Sequence, residues 1–197
     1  MHKPSTKKPE HKIFLSELGA NFWDNIRELM SGEMFSLLLY NKAPNIALVN
    51  VDREYFGIRS RYLKNAQTFE EYIKQHNEEV IGFEKVIAAC MLMGDMDFHQ
   101  ENLMVHQNAE DAYEFDKIDH GRSLCDMYEG AEQVFNSYLS FAYSKYFDSL
   151  NSKQITFNHK VFLDELIAMH SRLSPTMMYD IIDSKVNQLK KNRCGAG

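Results

Sequence analysis

Apolar residues recur at every third or fourth position along most of the chain, a spacing typical of amphipathic helices that bury one face. The first such stretch covers residues 14–41, where Gly32 is a point at which the helix can be interrupted. Thr68, Asn158 and the pair Ser174-Pro175 are start signals for three more helices. Spacing and start signals together predict helices at residues 14–41, 69–76, 78–93, 131–148, 161–170 and 175–191.

Short runs rich in β-branched and aromatic residues predict strands between these helices. Two of them cover residues 46–51 and 55–62, with a turn at Asp52-Arg53-Glu54. Two more, at residues 103–105 and 113–118, follow the helix predicted at residues 78–93. The order of elements is therefore helix, β-hairpin and then mostly helix, which predicts an α+β fold that is mostly α.

Composition narrows the class of protein. The 197 residues suffice for one domain with a core, and the net charge of −6 argues against a nucleic-acid binder, whose affinity depends on neutralising phosphates. Three cysteines lie too far apart for a disulfide framework or a CxxC zinc site, which indicates a reducing compartment. We therefore expect a soluble intracellular protein with a flexible basic tail at residues 1–11 and a single domain at residues 12–193.

Acidic residues, histidines and an asparagine concentrate in two segments, GDMDFHQEN and IDHG. Asp97 and Asn102 are five residues apart with His99 between them, and Asp119 follows the next strand-like run. Phosphoryl transfer uses such a set, because one side chain orients the hydroxyl nucleophile while an asparagine and an aspartate hold Mg²⁺ on the nucleotide phosphates. The spacing from aspartate to asparagine is that of the protein-kinase catalytic loop.

The two segments resemble the catalytic and metal-binding loops of atypical kinases with a GDxDxHxxN signature. They are most similar to the phosphoinositide 3-/4-kinase-like family, including bacterial effector lipid kinases, in which D-R-H-x-x-N precedes I-D-F-G or I-D-H-G. The resemblance implies a protein-kinase-like fold with a helical C-lobe at residues 66–193 and a reduced or truncated N-lobe at residues 12–65. It also implies ATP and Mg²⁺ as cofactors, a phosphoinositide at a membrane surface as the acceptor, and delivery into a host cell.

The resemblance also implies roles for individual residues in this phosphotransfer. Two would act on the nucleophile, two would hold the metal, and a helix glutamate would pair with the lysine that contacts ATP. In that order, the residues are Asp97 and His99, Asn102 and Asp119, and Glu33 with Lys12.

Other functions stay open from the residues alone. No glycine-rich phosphate loop precedes Glu33, which favours a catalytically incomplete pseudokinase or fragment that acts as a binding scaffold. His106 and His120, together with His99 and Asp119, permit a third function, a metal-dependent phosphohydrolase, although the chain has no HExxH motif.

Two further features have alternative interpretations. Asp95, two residues before Asp97, either braces the loop or is a carboxylate that supports the site residues from behind. The basic C-terminal run either contacts an anionic membrane surface or compensates the negative end of a helix dipole. That run contains Lys185, Lys190, Lys191 and Arg193.

Overall fold

Helices and strands alternate along the chain in a computed structural model that describes residues 11–17, 22–40, 43–44, 46–50, 55–61, 63–95, 97–124, 146 and 149–194. Most of the helix predicted at residues 131–148 lies outside the described residues. The elements are β1 (His11–Glu17), α1 (Phe22–Leu38), β2 (Ile46–Asn50), β3 (Tyr55–Arg61), β4 (Gln67–Thr68), α2 (Phe69–Gln75), β5 (Val80–Ile81), α3 (Phe83–Met93), β6 (Leu103–Gln107), β7 (Tyr113–Lys117), α4 (His159–Arg172) and α5 (Pro175–Cys194).

The first sheet is antiparallel and has the strand order β1-β3-β2. The predicted hairpin of β2 and β3 is confirmed. The prediction of a helix from residue 14 onward is wrong, because residues 11–17 form a strand whose Ile13 is the register partner of Arg59. Pairing with a neighbouring strand overrides the helical spacing of a short segment, since that spacing is only a weak local preference.

Helix α1 runs without interruption through Gly32 and packs on the first sheet. A Cβ atom on Gly32 would collide with the side chain of Ile46, so the glycine lets the helix approach β2 closely. Ile46 and Ile58 are both buried on this side of the sheet. The predicted interruption at Gly32 is therefore wrong, and the residue serves close packing instead.

The second sheet has the order β4-β6-β7-β5, and its only parallel pair among the described strands is β5 with β7. The helix predicted at residues 78–93 begins later, at Phe83. Val80 and Ile81 pair with β7, and Gly82 then adopts a left-handed conformation with φ of 86° that starts the helix. A glycine reaches this conformation without the steric cost that a side chain would impose.

Two predicted helix starts are confirmed in detail. Thr68 accepts a hydrogen bond from the amide of Glu71, and the Glu71 carboxylate accepts one from the amide of Thr68, which forms a reciprocal capping box. Asn158 accepts hydrogen bonds from the amides of Lys160 and Val161 at the start of α4.

The main core lies between α3 and the second sheet. Phe69, Phe83 and Phe115 meet in tilted and edge-to-face contacts with centroid distances of 5.0 to 5.7 Å. Tyr146 packs on the same cluster, and its hydroxyl donates a hydrogen bond of 3.0 Å to the carbonyl of Phe98. Because Phe98 lies in the polar segment after α3, this hydrogen bond attaches that segment to the core. Burial raises the pKa of the Tyr146 hydroxyl, so it stays protonated as the donor.

The architecture confirms the predicted mixed α+β class. Among the described helices, none combines the length and the apolar character that crossing a membrane requires.

Replacing Gly32 with alanine should lower the free energy of unfolding by about 1 kcal/mol, because the gain in helix propensity only partly offsets overpacking against Ile46. Urea denaturation of the purified chain measures this change. The variant Ile46→Val removes the atom nearest to the added Cβ, so the double variant should be more stable than the sum of the two single changes predicts. Additive effects of the two changes would contradict the assigned contact.

Candidate functional site

Two polar loops lie side by side at one end of α3 and of the β6–β7 hairpin. The first polar loop is residues 94–102 and the second polar loop is residues 118–124. Helix α3 ends at Gly94, whose left-handed φ of 60° turns the chain, and its amide caps the carbonyls of Cys90 and Met91. The first polar loop therefore begins at a fixed point of the core.

A buried ion pair joins the two loops. Asp95 Oδ2 lies 3.2 Å from Lys117 Nζ, and both side chains are completely buried. The other oxygen, Asp95 Oδ1, accepts a hydrogen bond of 2.9 Å from the amide of Asp97. The interpretation of Asp95 as a brace is confirmed, because both of its oxygens hold the loops rather than face solvent.

Lys117 also holds the beginning of the second polar loop. Its ammonium group donates hydrogen bonds of 2.7 Å to the carbonyls of Ile118 and Asp119. With Asp95 as a third neighbour, the three protons of the ammonium group have three oxygen partners. A buried charge of this kind is tolerated because it is paired with an opposite charge and donates hydrogen bonds to two carbonyls.

Backbone contacts add to this connection between the loops. The amide of Ile118 donates to the carbonyl of Asn102 at 3.0 Å, and the amide of Leu124 donates to the carbonyl of Met93 at 2.7 Å. At the surface, Arg122 Nη1 lies 4.0 Å from Asp97 Oδ1. The two loops thus form one surface.

Three of the predicted site residues lie on the first polar loop. The Asn102 side-chain amide donates a hydrogen bond of 2.8 Å to the carbonyl of Asp97, which closes the loop on itself. His99 Nε2 lies 3.9 Å from Asp97 Oδ1, and His99 Nδ1 lies 3.6 Å from the carboxylate of Glu101. Asp97 and His99 are half-buried, whereas Asn102 is buried.

Asp119 is the predicted site residue on the second polar loop. It adopts a left-handed backbone with φ of 56°, its side chain is exposed, and its carboxylate accepts a long hydrogen bond of 3.4 Å from the amide of Gly121. An aspartate tolerates this backbone better than most residues. The amide of Ile118 donates to the carbonyl of Asn102, so the backbone next to Asp119 lies beside that of Asn102, whose side chain is buried.

Helix α1 supports the second polar loop from the other side. Glu28 Oε1 accepts a hydrogen bond of 3.0 Å from the amide of His120, and Arg27 donates one of 3.3 Å to the carbonyl of Gly121. Two turns further along, the ring of Phe35 stacks on the imidazole of His120 with centroids 4.2 Å apart. Two hydrogen bonds and one aromatic contact from α1 therefore hold the second polar loop.

Burial at this contact shifts two ionisation equilibria. Burial raises the pKa of Glu28 to about 7, and the nearby carboxylate of Asp119 adds to the increase. Burial, followed by the charge of Lys117, lowers the pKa of His120 well below its usual value. His120 is thus neutral, and neither of its ring nitrogens has a hydrogen-bond partner in the structure as described.

The contact of Glu33 is with the last helix and not with the polar loops. Its carboxylate accepts a hydrogen bond of 2.9 Å from Lys185 of α5, and this is also an ion pair between the first and last helices. The side chain of Lys12 lies outside the described residues, so its predicted pairing with Glu33 stays a prediction. The same holds for the side chains of Lys190, Lys191 and Arg193.

The histidines proposed for a metal-dependent hydrolase do not converge. The ring of His106 lies 2.8 Å from the carboxylate of Asp116 on the second sheet, and His120 is buried against Phe35. Within the described part of the chain, no group of three or more histidine, cysteine, aspartate or glutamate side chains is arranged to hold a metal ion by itself.

Sequence reasoning missed Lys117 and Glu28. Lys117 follows Tyr113 and Phe115 at alternate positions of β7, so the period of two already places it on the buried face of the strand. Glu28 lies seven residues before Phe35, which puts both on one face of α1. For Lys117 the signal was a charged residue in an apolar stripe.

Comparison with known proteins identifies the family. The model of the family described as "LepB N-terminal domain" matches residues 45–194. This span covers the strands β2 and β3 that pack on α1, both polar loops and the last two helices. The chain therefore belongs to the LepB N-terminal domain family.

Two similar proteins come from Rickettsia. The chain is 31% identical over 190 residues to a protein of Rickettsia prowazekii named "Uncharacterized protein RP146", a match that covers 85% of this chain and 30% of that protein. It is 30% identical over 185 residues to "Uncharacterized protein RC0188" of Rickettsia conorii, covering 85% of this chain and 26% of that protein. The match thus spans less than a third of the length of these relatives.

The comparisons correct the family and the function predicted from the motifs. The assignment to the phosphoinositide 3-/4-kinase-like family is wrong, because the matching family is the LepB N-terminal domain family. The prediction of an ATP- and Mg²⁺-dependent phosphotransferase acting on a phosphoinositide loses its basis with that family, since it rested on the resemblance of two short loops. The alternative interpretation as a binding scaffold agrees better with these findings.

Replacing Lys117 with methionine should lower the free energy of unfolding by about 3 to 5 kcal/mol, because Asp95 would be left buried without its partner. Chemical denaturation measures the loss. The matched control Lys160→Met changes an exposed lysine and should stay within about 0.5 kcal/mol of the unchanged protein. A loss for Lys117→Met no larger than that of the control would contradict the role of the pair.

Because of Glu28, the free energy of unfolding should fall as the pH rises from about 4.5 to about 7. Over this range the unfolded chain releases the proton while the folded chain retains it, so folding becomes less favourable. The shift in the pKa of Glu28 corresponds to roughly 3 kcal/mol of unfolding free energy, and this loss stays constant above pH 7. Denaturation in EDTA at several pH values measures this slope.

The variant Glu28→Gln keeps an acceptor for the amide of His120 but cannot ionise, so it should lose this part of the slope. The control Glu110→Gln, at an exposed turn, should keep the slope of the unchanged protein. Equal slopes in all three proteins would contradict the raised pKa of Glu28.

Proposed function

We propose that the domain is a binding scaffold and that its two polar loops together bind a phosphate-bearing ligand, with a nucleotide as the first choice, through a divalent cation. The observation that carries this proposal is the completely buried pair of Asp95 and Lys117, which fixes both loops in one arrangement. Rigid supports of this kind are what a preorganised binding site requires.

The donor atoms of the two loops suit a hard cation such as Mg²⁺. Asp119 offers an exposed carboxylate and the buried Asn102 an amide oxygen, and oxygen is the ligand that Mg²⁺ prefers. Mg²⁺ is commonly held by one or two protein carboxylates together with the phosphates of the ligand. The described residues hold no group of three or more side chains that could bind a metal alone, and this agrees with a cation that arrives with its ligand.

His99 and Arg122 are suited to contact the phosphates of that ligand. Both lie next to Asp97 at the rim of the first polar loop, and Arg122 is exposed on the second. An arginine binds phosphate through paired hydrogen bonds, so Arg122 would contribute affinity without taking part in the buried support. The finer interpretation of the fold, a kinase-like arrangement with a reduced N-lobe, stays a prediction.

Binding of ATP should depend on both the cation and Asp119. Isothermal titration of the full chain with ATP should show binding with Mg²⁺ and none with EDTA. Asp119→Asn should weaken the binding at least about tenfold, because it removes the carboxylate that meets the cation.

The matched control for this experiment is Asp111→Asn. Asp111 is an exposed aspartate with φ of 61°, close to the 56° of Asp119, and it lies in the turn at the opposite end of the β6–β7 hairpin. This control should bind ATP like the unchanged protein. Absence of Mg²⁺-dependent binding in the unchanged protein, or equal losses in both variants, would refute the proposed site.

A further inference from the structure

The second polar loop is anchored to the core at both of its ends. At the first end, the ammonium group of Lys117 donates a hydrogen bond of 2.7 Å to the carbonyl of Asp119. At the other end, the amide of Leu124 donates one of 2.7 Å to the carbonyl of Met93, the last residue of α3. Residues 120–123, the loop tip, lie between these two anchors.

The backbone at both ends of the loop tip has a conformation that L-residues rarely adopt. Asp119 has a φ of 56° and Leu124 has a φ of 62°. An aspartate tolerates this left-handed region, whereas a bulky side chain such as that of leucine is strained there. Residues that absorb a change of φ and ψ at the end of a segment act as its hinges, so these two positions are suited to let the tip move.

The loop tip also buries polar groups that lack partners. His120 and Ser123 are completely buried, and the structure as described shows no hydrogen bond to either ring nitrogen of His120 or to the hydroxyl of Ser123. The buried hydroxyl of Ser31 also lacks a partner, and it lies on α1 between Glu28 and Phe35, which both contact His120. Water would satisfy His120 and Ser123 if the tip left α1, so their burial favours release.

The contacts that oppose release are few. Two hydrogen bonds and one aromatic contact from α1 hold the loop tip on the helix. The surface pair of Arg122 and Asp97 adds little, because its atoms lie 4.0 Å apart and Arg122 is exposed. A hydrogen bond or ring contact contributes about as much as one unpartnered buried polar group costs. The opposing contributions are therefore close to balance, as an element with two populated states requires.

We propose that the loop tip exchanges between a seated state, in which it packs on α1, and a released state, in which His120 and Ser123 face water. Asp119 and Leu124 are the hinges, and the anchors at Lys117 and Met93 stay in place. Because Asp119 is a hinge, each exchange changes the direction of its carboxylate. The exchange is a property of the loop alone and does not depend on the proposed ligand.

Amide hydrogen exchange, measured by NMR on the full chain without nucleotide, tests this proposal. The amide of His120 reports on the loop tip, whereas the amides of Ile118 and Leu124 report on the two ends of the loop. If the tip opens while its anchors hold, the amide of His120 should be at least about tenfold less protected than the other two. Equal protection of the three amides would overturn the proposal, because the loop would then open only as a whole.

Two variants should shift the exchange in opposite directions. A Cβ atom on Gly121 would lie 2.9 Å from Glu28 Oε2. Gly121→Ala should therefore displace that carboxylate from the amide of His120 and lower the protection of this amide at least about fivefold. Ser123→Ala removes a buried hydroxyl that has no partner, so it should raise the same protection at least about threefold. Neither change should alter the protection of the amides at the two ends of the loop.

The matched control is Ser184→Ala, at an exposed serine of α5, which should leave the protection of all three amides unchanged. Circular dichroism should show that the three variants are folded. A lower protection of the His120 amide in Ser123→Ala would overturn the proposal in favour of a permanently seated loop whose hydroxyl binds an internal water molecule. Equal protection in Gly121→Ala and the unchanged protein, or in Ser123→Ala and the control, would overturn it as well.

Discussion

The arrangement of the candidate site depends on one buried ion pair, that of Asp95 with Lys117. Each charge alone would be costly in the interior, and the pair is tolerated because the two charges lie 3.2 Å apart, Lys117 donates hydrogen bonds to two carbonyls and Asp95 Oδ1 accepts one from a backbone amide. As a consequence, the carbonyls of residues 118 and 119 and the amide of Asp97 are held at fixed positions. Asp97 and Asp119 can therefore occupy the surface while their backbones are anchored in the core.

Helix α1 connects this support to the first sheet. Its face toward the second polar loop carries Glu28 and Phe35, and Gly32 brings the helix close to β2. A displacement of the sheet relative to α1 would thus act on the backbone at His120, next to Asp119. The ion pair of Glu33 with Lys185 ties the same helix to α5.

Local sequence signals predicted much of the fold. The capping residues Thr68 and Asn158, and the strands β2, β3 and β7, were predicted because their signals act within a few residues. The motif residues were also predicted to lie in loops, and the structure places them on two neighbouring polar loops. Function was not predicted in the same way. The thirteen residues of two short segments pointed to a kinase family, whereas the match over residues 45–194 identified another family.

The sequence by itself determined the helices that start after Thr68 and Asn158, the hairpin of β2 and β3 and the two polar loops, because spacing, caps and turn residues are properties of neighbouring positions. Only the tertiary structure decided that residues 11–17 form a strand, that Glu28 rather than Glu33 meets the second polar loop, and that Lys117 lies beneath it. These outcomes depend on partners 22 to 92 residues away in the chain, such as Asp95 for Lys117 and Glu28 for His120. The energy of a buried charge is set by those partners and by exclusion of water, and neither is encoded in any short stretch of sequence.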